Sequence, residues 1–304
     1  MRVLITGITG FLGRAIAREL LHQGHEVTGL ASEGAHTQSA GGAQIDISPV
    51  DVRDPTALGN AVERAAPDAI LHLAALSHVG TSWRRPGDYL RTNFDGTRHL
   101  LRAAAGRPIV FASSSEVYGA VPEEAQPIAE SRPLAPGSPY AMTKACAERL
   151  ALDAGARVVR QFNVVGPGQD RSFALPSFAT QLAAIAAAER EPILRVGNLA
   201  ARRDFVHIDD AARGWSTVLE RGADATLYNL ASGVDHSIAE ALDRLIAISG
   251  VDVTIEVDPA RVRAVDVPLV RGDATRLRAL GWTPRHDLER ALDDLWTTTR
   301  GGPR

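Results

Sequence analysis

At 304 residues, 45% of them hydrophobic, the chain is long enough for one large α/β unit or for a nucleotide domain with a smaller companion, and too apolar for disorder. A formal net charge of −3 offers no basic footprint for nucleic acid, and no Lys/Arg block marks a membrane-surface patch, so small molecules are the expected partners and no metal is expected. The single cysteine, Cys146, excludes an intramolecular disulfide framework, and with no apolar run of membrane-spanning length and no leader before Met1 the expectation is a cytoplasmic protein.

Arg2 to Thr6 reads as a short buried strand. Gly7-Ile8-Thr9-Gly10-Phe11-Leu12-Gly13 follows it, and an apolar segment of helical period then runs through Leu21. Such glycines let backbone approach a pyrophosphate, and the helix N-terminus beyond supplies unpaired N–H groups and a positive dipole end. Gly7, Gly10, Phe11, Leu12 and Gly13 are therefore candidate cofactor contacts, spaced GxxGxxG rather than GxGxxG. Glu26 to Leu30 is the second strand. At its end, where a dinucleotide fold often carries an acid for the adenosine ribose, stand Ala31 and Ser32. The missing acid removes a repulsion against a 2′-phosphate, so NADP(H) is expected in preference to NAD(H), although no Arg stands there to hold that phosphate. Gln44 to Ile47 is a third strand, and Asp51 and Val52, ahead of a helix from Pro55 to Ala65, are candidates for the adenine edge.

Asp68 to Leu73 is the fourth strand. Leu73, Ala74 and Ala75 close it with small residues against which a cofactor ribose can lie, while His72 reads as a packed strand-end residue rather than a ligand. A long helix from Pro86 to Ala105 carries Asn93, a polar residue in a packing face and a further cofactor candidate. Pro108 to Ala112, wholly apolar like a doubly covered parallel strand, delivers Ser113-Ser114-Ser115-Glu116-Val117-Tyr118-Gly119 at its C-terminal end, where open α/β sheets bind ligands.

A Pro- and Glu-rich loop then leads to a helix from Ser138 to Ala154, on which Tyr140 and Lys144 are four apart and share a face. An ammonium beside a phenol stabilises its anion, so the Tyr140 pKa is expected to fall toward neutrality and the phenol to exchange a proton with a substrate oxygen. Of 33 Lys and Arg residues Lys144 is the only lysine, in a chain that otherwise uses Arg, and this marks it for a specific task. Cys146, on the same helix, reads as a small packing residue. A serine at the preceding strand end can hydrogen-bond the oxygen that Tyr140 protonates.

Val158 to Phe162 is the sixth strand, broken by Asn163-Val164-Val165-Gly166-Pro167-Gly168. The alternation then loosens into a second lobe. A helix is expected over Phe173 to Arg190 and a strand over Ile193 to Val196. The sheet is expected to be rejoined near Phe205 and again at Leu227 to Leu230. Helices at His236 to Ser249 and Asp287 to Thr297, and a strand at Val253 to Val257, complete the chain. Arg261, Arg263 and Arg271 are either solvated or include one that grips a phosphate. The expected fold is α/β: a Rossmann-like doubly wound parallel sheet over residues 1–165, completed by about 204–230, with a smaller C-terminal lobe from 166–203 and 231–304.

Gly7-Gly10-Gly13, His72 to Ala75, Ser114, Tyr140 with Lys144, and Phe162-Asn163 with Gly166-Pro167 together resemble the extended short-chain dehydrogenase/reductase family of nucleotide-sugar enzymes, over nearly the whole chain. Arg195 to Phe205 is similar to the GDP-mannose branch, and Val265 to Leu269 with Gly281-Trp282-Thr283-Pro284 to its reductase members. The resemblance implies a catalytic triad of Ser114, Tyr140 and Lys144, with Asn163, Arg203 and Arg263 on the diphosphate of a GDP-sugar and Ser77 facing the hexose. Ser115, Val196, Asn198 and Asp266 join these as substrate contacts. It further implies reduction of the C4 ketone of a GDP-4-keto-6-deoxyhexose and a homodimer formed through a four-helix bundle of the Pro86 and Ser138 helices, with Leu90, Leu100, Leu101, Leu150 and Leu152 as apolar surface. Glu116 occupies the place of the base in family dehydratases. A dehydratase or 4-epimerase is therefore the alternative reading, and a non-enzymatic NAD(P)-sensing module the reading from another class.

Overall fold

Val3, Leu4, Ile5 and Thr6 are all buried, as a central strand covered on both faces requires. The computed structural model describes residues 1–32, 37–40, 43–261 and 267–301, with backbone alone for 37–40 and 43. In chain order the first half runs β1 (Arg2–Thr6), α1 (Phe11–His22), β2 (Glu26–Ala31), β3 (Thr37–Ala40), β4 (Ala43–Pro49), α2 (Pro55–Ala65), β5 (Ala69–His72), α3 (Val79–Ser82), α4 (Pro86–Tyr89), a π-helical turn (Leu90–Asp95), α5 (Gly96–Ala104), β6 (Ile109–Ser114), α6 (Pro139–Asp153) and β7 (Arg157–Gln161). The second half adds β8 (Asn163–Val165), α7 (Ala174–Ala186), β9 (Ile193–Val196), β10 (Arg202–His207), α8 (Ile208–Arg221), β11 (Leu227–Leu230), β12 (Asp235–Ser237), α9 (Ile238–Ser249), β13 (Thr254–Val257), β14 (Leu269–Val270), α10 (Thr275–Ala279) and α11 (Leu288–Gly301).

The main sheet has the order β11-β7-β6-β5-β1-β2-β4-β3. Its strands are parallel apart from β3, which returns antiparallel along β4. Leu4, Ile70, Phe111 and Val158 face a core with α2, α5 and α6, and Ile5, Leu71, Val110 and Val159 face the opposite core with α1 and α8. The strand order reverses between β1 and β5, the crevice where such sheets take their ligand. Parallel pairing brings the ends of β1, β5 and β6 to one edge, so that residues 7–13, 73–77 and 113–118 meet there.

Three features depart from the sequence expectation. Phe205 does not rejoin the main sheet: β10 pairs with β8, β12 and β14 in a separate small sheet, and only Leu227 to Leu230 returns to the main one. The break after Phe162 turns the chain away from β7, so β10 finds its partner in β8. The expected helix over Pro86 to Ala105 is also not uniform, because the π-helical turn sits at its centre. Helix α8, unrecognised in the sequence, places Ile208, Ala211, Ala212, Trp215, Val218 and Leu219 on its buried face. The lobe core gathers Leu175, Phe178, Leu194, Leu242, Leu292 and Trp296 from α7, β9, α9 and α11. Among the described residues no helix is long and apolar enough to cross a membrane.

Candidate active site

The turn after β1 is built by contacts that exclude side chains. Gly7 has φ +72°, and a Cβ there would lie 2.9 Å from Ala74 Cα; one at Gly13 would lie 2.4 Å from the Gly7 carbonyl oxygen. Gly10 caps α1 without a side chain, so the first-turn amides, including those of Phe11 and Leu12, are left to an incoming acceptor. This cradle fits a pyrophosphate. At the adjoining strand ends, Val50 N–H donates to Ala31 O at 2.8 Å, which brings Asp51 and Val52 beside the end of β2. The Arg53 guanidinium holds the Asp51 carboxyl below its ordinary range. Val52 packs so closely on α5 that a Cβ at Gly96 would come within 2.7 Å of it. Ala31 is buried, whereas Ser32 is exposed.

Behind the cradle runs a buried polar chain. Thr6 Oγ1 lies 2.7 Å from His72 Nδ1, and His72 Nε2 lies 3.0 Å from Thr97 Oγ1. Thr97 spends its proton on Asn93 O, so it must accept from His72 Nε2–H, which leaves Nδ1 to accept from Thr6. Thr6 in turn accepts Ala74 N–H at 3.2 Å. His72 is thus a neutral imidazole that fixes the end of β5, and burial, then the Lys144 charge, depresses its pKa to about 3. Asn93 Oδ1 accepts Leu76 N–H at 2.9 Å, and its amide donates to Leu76 O and Thr143 Oγ1. Its side chain therefore holds the loop after β5 onto α6, with both amide protons engaged. Leu73 and Ala75 flank Ala74 at that strand end, half-buried.

Ser138 caps α6 by accepting Ala141 N–H at 3.1 Å, and Pro139 opens the helix, so Tyr140 stands on its first turn with Lys144 one turn on. Ser114 Oγ accepts Glu116 N–H at 3.2 Å, which leaves its proton for the Tyr140 oxygen. The Tyr89 ring meets Tyr140 edge-on at 6.3 Å. Lys144 Nζ sits 4.9 Å from the centre of the Phe111 ring. The expected fall of the phenol pKa is reversed by the protein's own groups. Burial pushes Tyr140 up to about 12, against the Ser114 hydrogen bond and with the Glu116 charge adding to the rise. Burial likewise brings Lys144 down to about 7, opposed by Glu148. Both groups are enclosed, and enclosure disfavours both charged forms.

Ser77 is exposed on the loop that Asn93 and Tyr89 hold, the latter through a 2.6 Å bond from its hydroxyl to His78 O, and Ser115 begins the turn after β6. Asn163 is exposed on β8. Arg203 donates to Arg202 O and Val267 O from one nitrogen, and Asn198 accepts Ala200 N–H. Val196 is fully buried in the lobe core. Arg261 pairs with Asp258 and Arg271 with Asp235, while Arg263 and Asp266 lie outside the described residues. Cys146, expected to pack, is exposed on the outer face of α6. The sequence reading overlooked Tyr89 and Glu148; Glu148 was within reach, being four residues past Lys144 on the same face.

The GDP-mannose 4,6 dehydratase family model matches residues 4–295. GDP-6-deoxy-D-mannose reductase of Pseudomonas aeruginosa is 33% identical over 306 residues, a match spanning 96% of this chain and 94% of that protein. Among solved structures, RMD from Pseudomonas aeruginosa complexed with NADPH superposes with a TM-score of 0.83 at 31% identity, covering 98% of this chain and 97% of that one. UDP-glucose 4-epimerase of Thermus thermophilus in complex with NAD gives 0.86 at 28% identity, over 100% of both chains.

Proposed function

We propose that this chain, which belongs to the GDP-mannose 4,6-dehydratase family of NAD(P)-dependent extended short-chain dehydrogenases/reductases, reduces the C4 ketone of a GDP-4-keto-6-deoxyhexose to the alcohol with NADPH in the cytoplasm. The observation that carries the reading is the similarity, nearly end to end and at 33% identity, to a GDP-6-deoxy-D-mannose reductase. The parallel sheet takes the cofactor, and the C-terminal lobe takes the nucleotide sugar. Bound NADPH supplies a hydride. Tyr140 gives the proton that turns the resulting C4 oxygen into a hydroxyl, and a phenol held protonated by burial is suited to that direction. Ser114 steadies the same oxygen, and Lys144 balances the phenolate left on Tyr140. Asn163 and Arg203 on neighbouring β8 and β10 are assigned to the diphosphate, and Ser77 to the hexose.

Glu116 favours a second reading. Its charge reaches Tyr140, and a base beside the acid is what a 4,6-dehydratase needs to take the C5 proton. A sensing module would have no use for Ser114, Tyr140 and Lys144 gathered at one strand edge. With GDP-4-keto-6-deoxymannose and NADPH, absorbance at 340 nm should fall in proportion to the 6-deoxyhexose formed. GDP-mannose without added reductant should give no 4-keto product; its appearance would move the assignment to dehydratase, with Glu116 as base. NADPH should exceed NADH in kcat/KM, and Asp belongs at exposed Ser32 rather than buried Ala31 to reverse that preference.

A further inference from the structure

Beneath the reacting residues lies an ion pair that the proposed reaction does not use. Glu148 and Arg160 have side chains only 2% and 4% exposed. Arg160 Nε lies 3.2 and 3.0 Å from the two Glu148 oxygens, and Nη2 donates to Oε1 as well. Its Nη1 reaches Tyr118 Oη at 2.9 Å and Glu130 O at 3.1 Å, while the guanidinium lies over the Tyr118 ring. Buried pairs are costly to desolvate and seldom add net stability, so the location of this one matters. Glu148 stands on α6 one turn past Lys144, and Arg160 stands on β7. Ser113 Oγ, on the residue before Ser114 in β6, donates to Glu148 Oε2 at 2.5 Å. Helix α6 and strands β6 and β7 therefore meet at one carboxylate.

The surroundings of Lys144 give that carboxylate a second task. The lysine Nζ lies over the Phe111 ring of β6, its charge reaches neutral His72 on β5, and Tyr140 stands one turn before it on α6. Glu148 supplies the negative charge among them, and it opposes the pull of burial on the lysine. We propose that Glu148 is a positioning residue for the reaction centre: through Ser113 and Arg160 it fixes the strand end bearing Ser114 against the helix bearing Tyr140 and Lys144, and its carboxylate favours the charged form of Lys144, one turn before it. The inference deepens the reductase reading, and its kinetic arm rests on that reading.

Because Lys144 is the only lysine, protein labelled with [13Cε]lysine gives a single lysine side-chain resonance whose pH titration reads this residue without substrate. In Glu148→Gln the titration midpoint should fall by about one pH unit. That variant leaves Arg160 without its anion and can lose the fold, so Glu148→Gln/Arg160→Met removes both charges and should lower the midpoint by less, because loss of the Arg160 cation offsets part of the fall. Ser113→Ala cuts only the tie to β6. It should reduce kcat about tenfold with KM for NADPH unchanged, and Ser113→Thr, which keeps the hydroxyl, should restore it. An unmoved Lys144 midpoint in folded Glu148→Gln would overturn the proposal, as would full kcat in Ser113→Ala. If the wild-type protein reduces no GDP-4-keto sugar, the reductase reading fails while the titration still decides the role of Glu148.

Discussion

Tyr140 and His72 show how enclosure sets the state of single residues. Tyr140→Phe keeps the ring and its edge contact with Tyr89 and removes the proton, so turnover should fall by about a hundred- to ten-thousand-fold while NADPH binding, measured by fluorescence titration, persists. Near-full activity would remove Tyr140 from its assigned role. His72, at about 3 in the fold against 6.5 in an open chain, binds its proton first in the unfolded state. Its contribution to stability is therefore complete above pH 6.5 and lost as pH falls toward 3, with a limiting slope of about 1.4 kcal/mol per pH unit. Urea unfolding between pH 7 and 5 should show that decline, and His72→Gln, which takes up no proton, should flatten it.

At the scale of elements, the π-helical turn between α4 and α5 is where local pattern and tertiary demand diverge. Its Asn93 is buried and satisfies both backbone groups of Leu76, and through Thr143, which donates to Tyr140 O, it links the loop after β5 to the helix of the acid. Asn93→Ala strands those groups and should lower unfolding free energy by about 1 to 3 kcal/mol in urea, with weaker binding of the nucleotide sugar as the Ser77 loop loosens. An unchanged denaturation midpoint would show the loop held by other means. The helical period of residues 86–105 was legible in the sequence, whereas the π-helical turn was not, because it follows from where Leu76 and Thr143 arrive in space.

At the scale of the whole molecule, the outer face of α6 presents Met142 and Cys146 before Arg149 and Asp153, and nearby Leu90 and Trp83 are also exposed. This surface suits the homodimer that the family resemblance implies. Leu100, expected to contribute, is instead fully buried in the main core that also holds Ala104 and Val158. Sedimentation at micromolar protein should give a dimer, and Met142→Asp, placed where the chain alone does not need it, should give a folded monomer; a monomeric wild type would end the proposal. The sequence by itself determined the strand–glycine–helix opening, the parallel sheet and the pairing of Tyr140 with Lys144. These rest on spacing along one element, and strand and helix periods are local. Tertiary structure alone decided that β10 leaves the main sheet, that Val196 turns into the lobe core, and that Tyr140 and Lys144 are pushed away from their charged forms. Partner strand, burial and protonation are set by groups distant in the chain, and desolvation can only be read once those groups have closed around the residue.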